Sequence, residues 1–188
     1  EHYGIATPLT PYHDHNASEA RPKLLARLAA GAAIALVSDA GTPLISDPGY
    51  KLVRAAREAG HEIYTVPGPS AAIAALTLAG LPTDRFLFLG FLPAKAKARA
   101  DGIAEIASIR ATLVIYESGP RLGETLGALR KHLGLREAAV AREITKLHEE
   151  CVTGTLEELT DRYAGAAPKG EIVIVVGPPL EAEAATDN

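Results

Sequence analysis

The 188-residue sequence predicts an α/β protein. Short apolar runs alternate with amphipathic segments of helical length along most of the chain. Several of those runs end in Gly- and Pro-rich loops that lead straight into the next helical segment, where open α/β sheets place their ligands. With 47% apolar and 22% charged residues, the chain is globular and long enough for one large or two small domains.

In order along the chain, the first expected helix is Arg21–Ala30, with Asn16 or Ser18 ahead of it as a cap. The apolar run Ala32–Val37 reads as a buried strand over Ile34–Ser38. It opens into Ser38-Asp39-Ala40-Gly41-Thr42-Pro43-Leu44-Ile45-Ser46-Asp47-Pro48-Gly49. Two X-Pro steps and two glycines forbid regular structure there, and the small side chains leave the backbone bare enough to lie against a ligand. Asp47-Pro48 offers an N-cap and first-turn pair for a helix over Gly49–Ala59, which Gly60 ends.

A strand over Glu62–Val66 then enters the rigid turn Val66-Pro67-Gly68-Pro69-Ser70-Ala71, where Ser70 is placed to cap a helix over Ser70–Ala79. Strand Phe86–Gly90, helix Lys97–Ser108 and strand Thr112–Tyr116 follow. Tyr116-Glu117-Ser118-Gly119-Pro120-Arg121 joins that strand to a helix over Arg121–Leu133, ended by Gly134. Strand Ala138–Ala141 leads into the dense polar run Arg142–Glu150, and Cys151–Thr153 reads as a short, antiparallel strand. Helix Leu156–Ala164 and strand Glu171–Val176 complete the pattern. The Pro- and Gly-punctuated stretch Leu81–Lys97 is the best boundary, giving a first domain over 1–82, a second over 83–178 and an acidic tail over 179–188.

The chemistry excludes several classes. No lysine follows the glycines of the first loop and no Gly-x-Gly-x-x-Gly spacing occurs, so a nucleoside without a phosphate chain fits better than ATP or NAD. The single cysteine, Cys151, permits no internal disulfide and fits a reducing compartment. His13, Asp14 and His15 have no partner cluster elsewhere, so no metal is expected. No apolar run approaches the ~18–20 residues of a membrane span. The net charge of −4 argues mildly against nucleic acid, yet Lys95, Lys97, Arg99, Arg110 and Arg121 bring positive charge to the middle of the chain. The absence of methionine and the abrupt opening at Glu1 lead us to expect that the original start is missing.

Taken together, Tyr12–Asn16, Ser38–Gly49, Val66–Ala71, Phe86–Pro93, Tyr116–Leu122, Arg142–Glu149 and Gly170–Gly177 resemble, in order, the tetrapyrrole-methylase family of S-adenosylmethionine-dependent methyltransferases. Within that family, Ser38–Gly49 is similar to the loop of the group acting on a cytidine ribose 2′-hydroxyl in bacterial 16S ribosomal RNA. A precorrin methyltransferase is expected to carry a Gly-Gly-Asp-Pro-like version at Ala40-Gly41-Thr42-Pro43. The resemblance implies two α/β domains with the cofactor cleft between them, the first incomplete at its N-terminus. It also implies a cytoplasmic homodimer with no membrane association, acting on 16S ribosomal RNA or the small ribosomal subunit.

Carried over by position, Ala40, Gly41, Thr42 and Ile45 should line S-adenosylmethionine, Ser70 and Ala71 should add contacts, and Tyr116 and Thr145 should close the site. Glu143 is the candidate general base, with Lys146 the alternative if its pKa is depressed and Asp39 a weaker choice. His13, Lys95, Arg99, Arg121 and Arg142 are the candidates for RNA contacts. Two other substrate classes stay open for this fold, a tetrapyrrole or a modified protein residue, as does a binding module without catalysis. The family's first strand and its basic C-terminal helical segment have no counterpart here, and Gly119-Pro120 stands where Pro-His is common.

Overall fold

The computed structural model describes residues 4–180; the acidic tail beyond Leu180 lies outside the described residues. The chain divides between Pro69 and Ser70 into two compact units.

The first unit contains helices α1 (Ala17–Ala29) and α2 (Tyr50–Glu58). Both end in the same motif: the amide after the left-handed glycine bonds back five residues, Ala32 to Arg27 and His61 to Ala56. The strands expected over Ile34–Ser38 and Glu62–Val66 do not form. Strand pattern is a property of one segment, but a ladder needs two, and among the described residues neither segment has a hydrogen-bonded neighbour. Val37, Tyr64 and Val66 consequently lie exposed. The expected Asp47-Pro48 cap is also displaced: Gly49 is the N-cap of α2, at φ 141°. Glycine is favoured there on torsional grounds, whereas a Cβ would meet only the yielding side-chain ends of Leu36 and Leu44.

The second unit is the mixed α/β structure that the sequence predicts. Its elements are α3 (Ala71–Leu78), β1 (Phe86–Phe91), α4 (Ala96–Ile106), β2 (Thr112–Ser118), α5 (Gly119–Leu133), β3 (Glu137–Arg142), β4 (Glu150–Thr155), α6 (Leu156–Arg162) and β5 (Glu171–Val176). The sheet order is β1-β2-β5-β3-β4, with β1 parallel to β2 and the remaining pairs antiparallel. The short strand expected around Cys151 is thus antiparallel β4 on the edge.

The twofold period of the strands decides which helix covers which face. Leu113, Ile115, Val140, Ile172 and Ile174 point to a core closed by Ile103 of α4, Leu122, Leu126 and Leu129 of α5, and Leu156 and Leu159 of α6. Val114, Ala139, Ala141, Val173 and Val175 point to the opposite face, closed by Ala72, Ala75 and Leu76 of α3. Burial of this kind stabilises by roughly 1.5–3 kcal/mol for each large aliphatic side chain. Two-sided cover also explains why Ile172–Val176 is an unbroken apolar run. Helix α6 starts with a capping box in which Thr155 Oγ1 accepts from the Glu158 amide at 3.2 Å and Glu158 accepts from the Thr155 amide at 2.8 Å.

Among the described residues of this unit, one carboxylate is buried. Glu117 is 3% exposed; its Oε2 accepts from Thr125 Oγ1 at 2.6 Å and its Oε1 accepts from the Ser118 amide at 2.8 Å. Arg121 Nε lies 3.4 Å from the same Oε1. Removing a donor to a buried charge leaves its desolvation uncompensated. Thr125→Val keeps the shape and removes the donor, so we expect a loss of about 1–3 kcal/mol. Urea denaturation at neutral pH measures it; a Thr125→Val midpoint equal to wild type would mean that Thr125 contributes nothing to Glu117.

Candidate functional site

In the first unit, two loops meet. Thr42 Oγ1 donates to the Pro69 carbonyl at 2.9 Å, joining Ser38–Gly49 to the Pro67–Pro69 turn. Ser38 Oγ donates to the Ala40 carbonyl at 3.0 Å. Gly41, Leu44 and Ser46 all have positive φ, at 69°, 74° and 54°. Two non-glycine residues in that region within three positions store backbone strain, which accumulates at functional sites. Ala40, Gly41 and Ile45 are exposed and Thr42 is half-buried. The loop therefore presents main-chain groups, the apolar Ile45 and the acidic Asp39, with no cation, and this chemistry suits a nucleoside better than a polyphosphate.

In the second unit, Tyr116 on β2 reaches the start of α3. Its hydroxyl accepts from the Ala72 amide at 3.2 Å, satisfying one of the free donors of that helix end. Ser70 is the N-cap residue of α3, but its side chain makes no capping bond, so the expected cap comes from Tyr116 instead. Ser70, Ala71 and Tyr116, singled out separately in the sequence, are thus brought together. Phe88 and Phe91 of β1 meet Tyr116 edge to face, with ring centroids 4.9 and 5.7 Å away. The sequence reading singled out neither ring as the support of Tyr116; the Phe-Leu-Gly-Phe run before Leu92-Pro93 was the available signal.

The polar loop after β3 is braced rather than loosely solvated. Glu143 Oε1 accepts from the Glu171 amide at 2.9 Å and from Lys146 Nζ at 3.0 Å, while Lys146 Nζ also donates to Glu171 Oε2 at 2.9 Å. The Thr145 amide donates to Glu149. Glu143 and Thr145 have φ of 50° and 66°, which is costly for a β-branched threonine. The Glu171 amide, and then Lys146, hold the Glu143 carboxyl below its ordinary pKa. The bonds to Glu171 and Glu143 raise the Lys146 pKa. The condition attached to Lys146 as a base, a depressed pKa, is therefore not met, because both neighbours favour its charged form.

The candidates for RNA contact separate into two kinds. Arg99 is 5% exposed, donating to the Ala94 carbonyl at 3.4 Å and to Glu124 at 3.0 Å. Arg121 donates to the Leu92 carbonyl at 2.7 Å and the Pro93 carbonyl at 3.4 Å. Arg142 is shared between Glu150, at 3.2 Å, and the Lys169 carbonyl, also at 3.2 Å. These three guanidiniums hold the chain's own loops. Lys95 and His13 are exposed, and the His13 ring lies 6.0 Å from that of His15.

A carboxyl with a lowered folded pKa contributes stability above its unfolded pKa and loses it as pH falls through the folded value; an ammonium with a raised pKa loses its contribution as pH rises through the folded value. The Glu143–Lys146 brace is therefore expected to persist between about pH 5 and pH 10 and to fail at both ends. Carbon-13 titration of the Glu143 carboxyl should give a midpoint below the usual ~4.3. In Lys146→Met that midpoint should rise only partway, because the Glu171 amide is the larger influence. Complete recovery would make Lys146 the dominant partner instead.

A sequence model described as Tetrapyrrole (Corrin/Porphyrin) Methylases matches residues 2–160. A ribosomal RNA small subunit methyltransferase I from Mesorhizobium japonicum is 53% identical over 100% of this chain, which covers 64% of that protein. The protein of the same name from Xylella fastidiosa is 49% identical over 98% of this chain, which covers 68% of it. The chain thus spans about two thirds of the length of these relatives. A uroporphyrin-III C-methyl transferase from Thermus thermophilus, solved in complex with S-adenyl homocysteine, superposes with a TM-score of 0.57 at 20% identity, over 88% of this chain and 75% of that one. That likeness is one of fold, and it agrees with the match to the sequence family. By its sequence across most of its length, and by its fold, this chain belongs to the tetrapyrrole methylases.

Proposed function

We propose that the protein transfers a methyl group from S-adenosylmethionine to a cytidine ribose 2′-hydroxyl in 16S ribosomal RNA. The observation carrying this reading is the Ser38–Gly49 loop: main chain held in strained positive-φ geometry and fastened to Pro69 by Thr42, within a chain about half identical to ribosomal RNA small subunit methyltransferases. The exposed main chain at Ala40 and Gly41, with Ile45 beside it, fits a nucleoside-like cofactor. Ser70, Ala71, Tyr116 and Thr145 are the further candidate contacts. Bound S-adenosylmethionine supplies a methyl on a sulfonium, a good leaving group.

The chain's own work is then to hold the hydroxyl in line with that methyl, a contribution reaching ~7–11 kcal/mol in well-oriented reactions. Glu143 is the candidate for proton removal. Its Oε1 is engaged by two donors and its pKa is lowered, so the proton would have to pass to Oε2 and the carboxylate would be a weak base. Most of the rate is therefore assigned to positioning. Glu143→Gln should lower turnover and leave affinity for S-adenosylhomocysteine nearly unchanged. Wild-type turnover would remove Glu143 from the mechanism.

Incubation with methyl-labelled S-adenosylmethionine and small ribosomal subunits tests the reaction. A 2′-O-methyl group blocks alkaline cleavage of the adjacent phosphodiester, so label should survive alkaline hydrolysis in an uncleaved dinucleotide. Label in mononucleotides would mean a base is modified. Label confined to protein or to small molecules would favour the other substrate classes of this fold.

The loop contact is tested without disturbing Gly41, where any side chain would be strained at φ 69°. Thr42→Val removes the bond to Pro69 and should weaken S-adenosylhomocysteine binding by roughly fivefold, about 1 kcal/mol. Calorimetry reads this directly, and unchanged affinity in a folded variant would move the cofactor off this loop.

A further inference from the structure

We propose that Phe91 is a stacking platform for an unpaired base of the RNA substrate. The inference rests on the ribosomal RNA reading above and adds a residue to it. Phe91 ends β1, the parallel partner of β2, and is paired in register with Tyr116. Ligands of α/β sheets gather at the carboxyl ends of parallel strands, where this pair lies. Phe91 is 57% exposed, although its ring belongs to an aromatic cluster with Tyr116 and Phe88.

The main chain behind that ring is unusually well held. A register shift between Phe88 and Gly90 bends β1 just before Phe91. The next three carbonyls are then each bound by an arginine: Leu92 and Pro93 by Arg121 of α5, and Ala94 by Arg99 of α4. Leu92 itself is buried. The opposite charges that keep the two arginines in place are Glu117 and Glu124. A solvent-exposed aromatic on so rigid a mount loses little freedom when a flat partner stacks on it, which is the condition for strong base–aromatic contact. Lys95, four residues on, is exposed and supplies a cation of the kind that accompanies such platforms.

The test measures affinity for purified small ribosomal subunits, affinity for S-adenosylhomocysteine and melting temperature, for wild type, Phe91→Leu and Phe91→Trp. Wild type and Phe91→Trp should bind subunits alike, because both offer an aromatic face. Phe91→Leu should bind them roughly tenfold to a hundredfold more weakly, the range of one lost base stack. Its S-adenosylhomocysteine affinity should match wild type, and its melting temperature should fall only slightly, through the lost edge-to-face contact with Tyr116. Wild-type subunit affinity in Phe91→Leu overturns the platform and leaves the ribosomal RNA reading standing. A parallel loss of S-adenosylhomocysteine affinity overturns it by placing Phe91 against the cofactor. Failure of the wild-type protein itself to bind subunits overturns the RNA reading, and the platform with it.

Discussion

Strand β5 occupies the centre of the sheet, hydrogen-bonded to β2 on one side and β3 on the other, with Ile172 and Ile174 facing one core and Val173 and Val175 the other. The two halves of the sheet are joined through that double pairing and double burial. It fixes the register of β2, and so the height at which Tyr116 leaves the sheet to meet α3. It fixes β3 as well, and with it the start of the braced loop at Glu143. Glu171, the first residue of β5, closes the arrangement by giving its amide to Glu143 and its carboxylate to Lys146.

Close approach at the ends of the strands completes this geometry. A Cβ on Gly119 would fall 1.6 Å from the Pro168 carbonyl oxygen, so the turn before β5 lies directly on the start of α5. Even alanine would push the two apart. The same turn carries Lys169, whose carbonyl accepts from Arg142. The polar loop, the first turn of α5 and the entry to β5 thus form one mechanical unit, and its polar residues serve shape before they serve chemistry.

Much of the second unit was legible in the sequence because period and punctuation agree there. Ile172–Val176 is apolar throughout, Gly134 ends α5, and Thr155-Leu156-Glu157-Glu158 spells the capping box of α6. The first unit resisted because strand character depends on a partner that no single segment encodes, as Ile34–Ser38 and Glu62–Val66 illustrate. The arginines resisted for a different reason. Sequence distinguishes neither a guanidinium that grips backbone carbonyls, as in Arg99 and Arg121, nor one waiting at the surface. Gly41, Thr42 and Tyr116 were found as candidates from their motifs, whereas Phe91 became visible only when its exposure and its mount were seen together.

The unpaired extended segments of the first unit have a consequence for how its stability is distributed. Backbone groups there face water instead of a ladder, and local opening costs least where buried contacts and protected hydrogen bonds are fewest. The amides around Val37 and Val66 should accordingly exchange with solvent long before those of β5. A ligand that engages the strained loop between these segments would bind the closed form selectively, so occupancy would shift the local equilibrium by mass action. Binding and local folding in this unit are then two readings of one equilibrium.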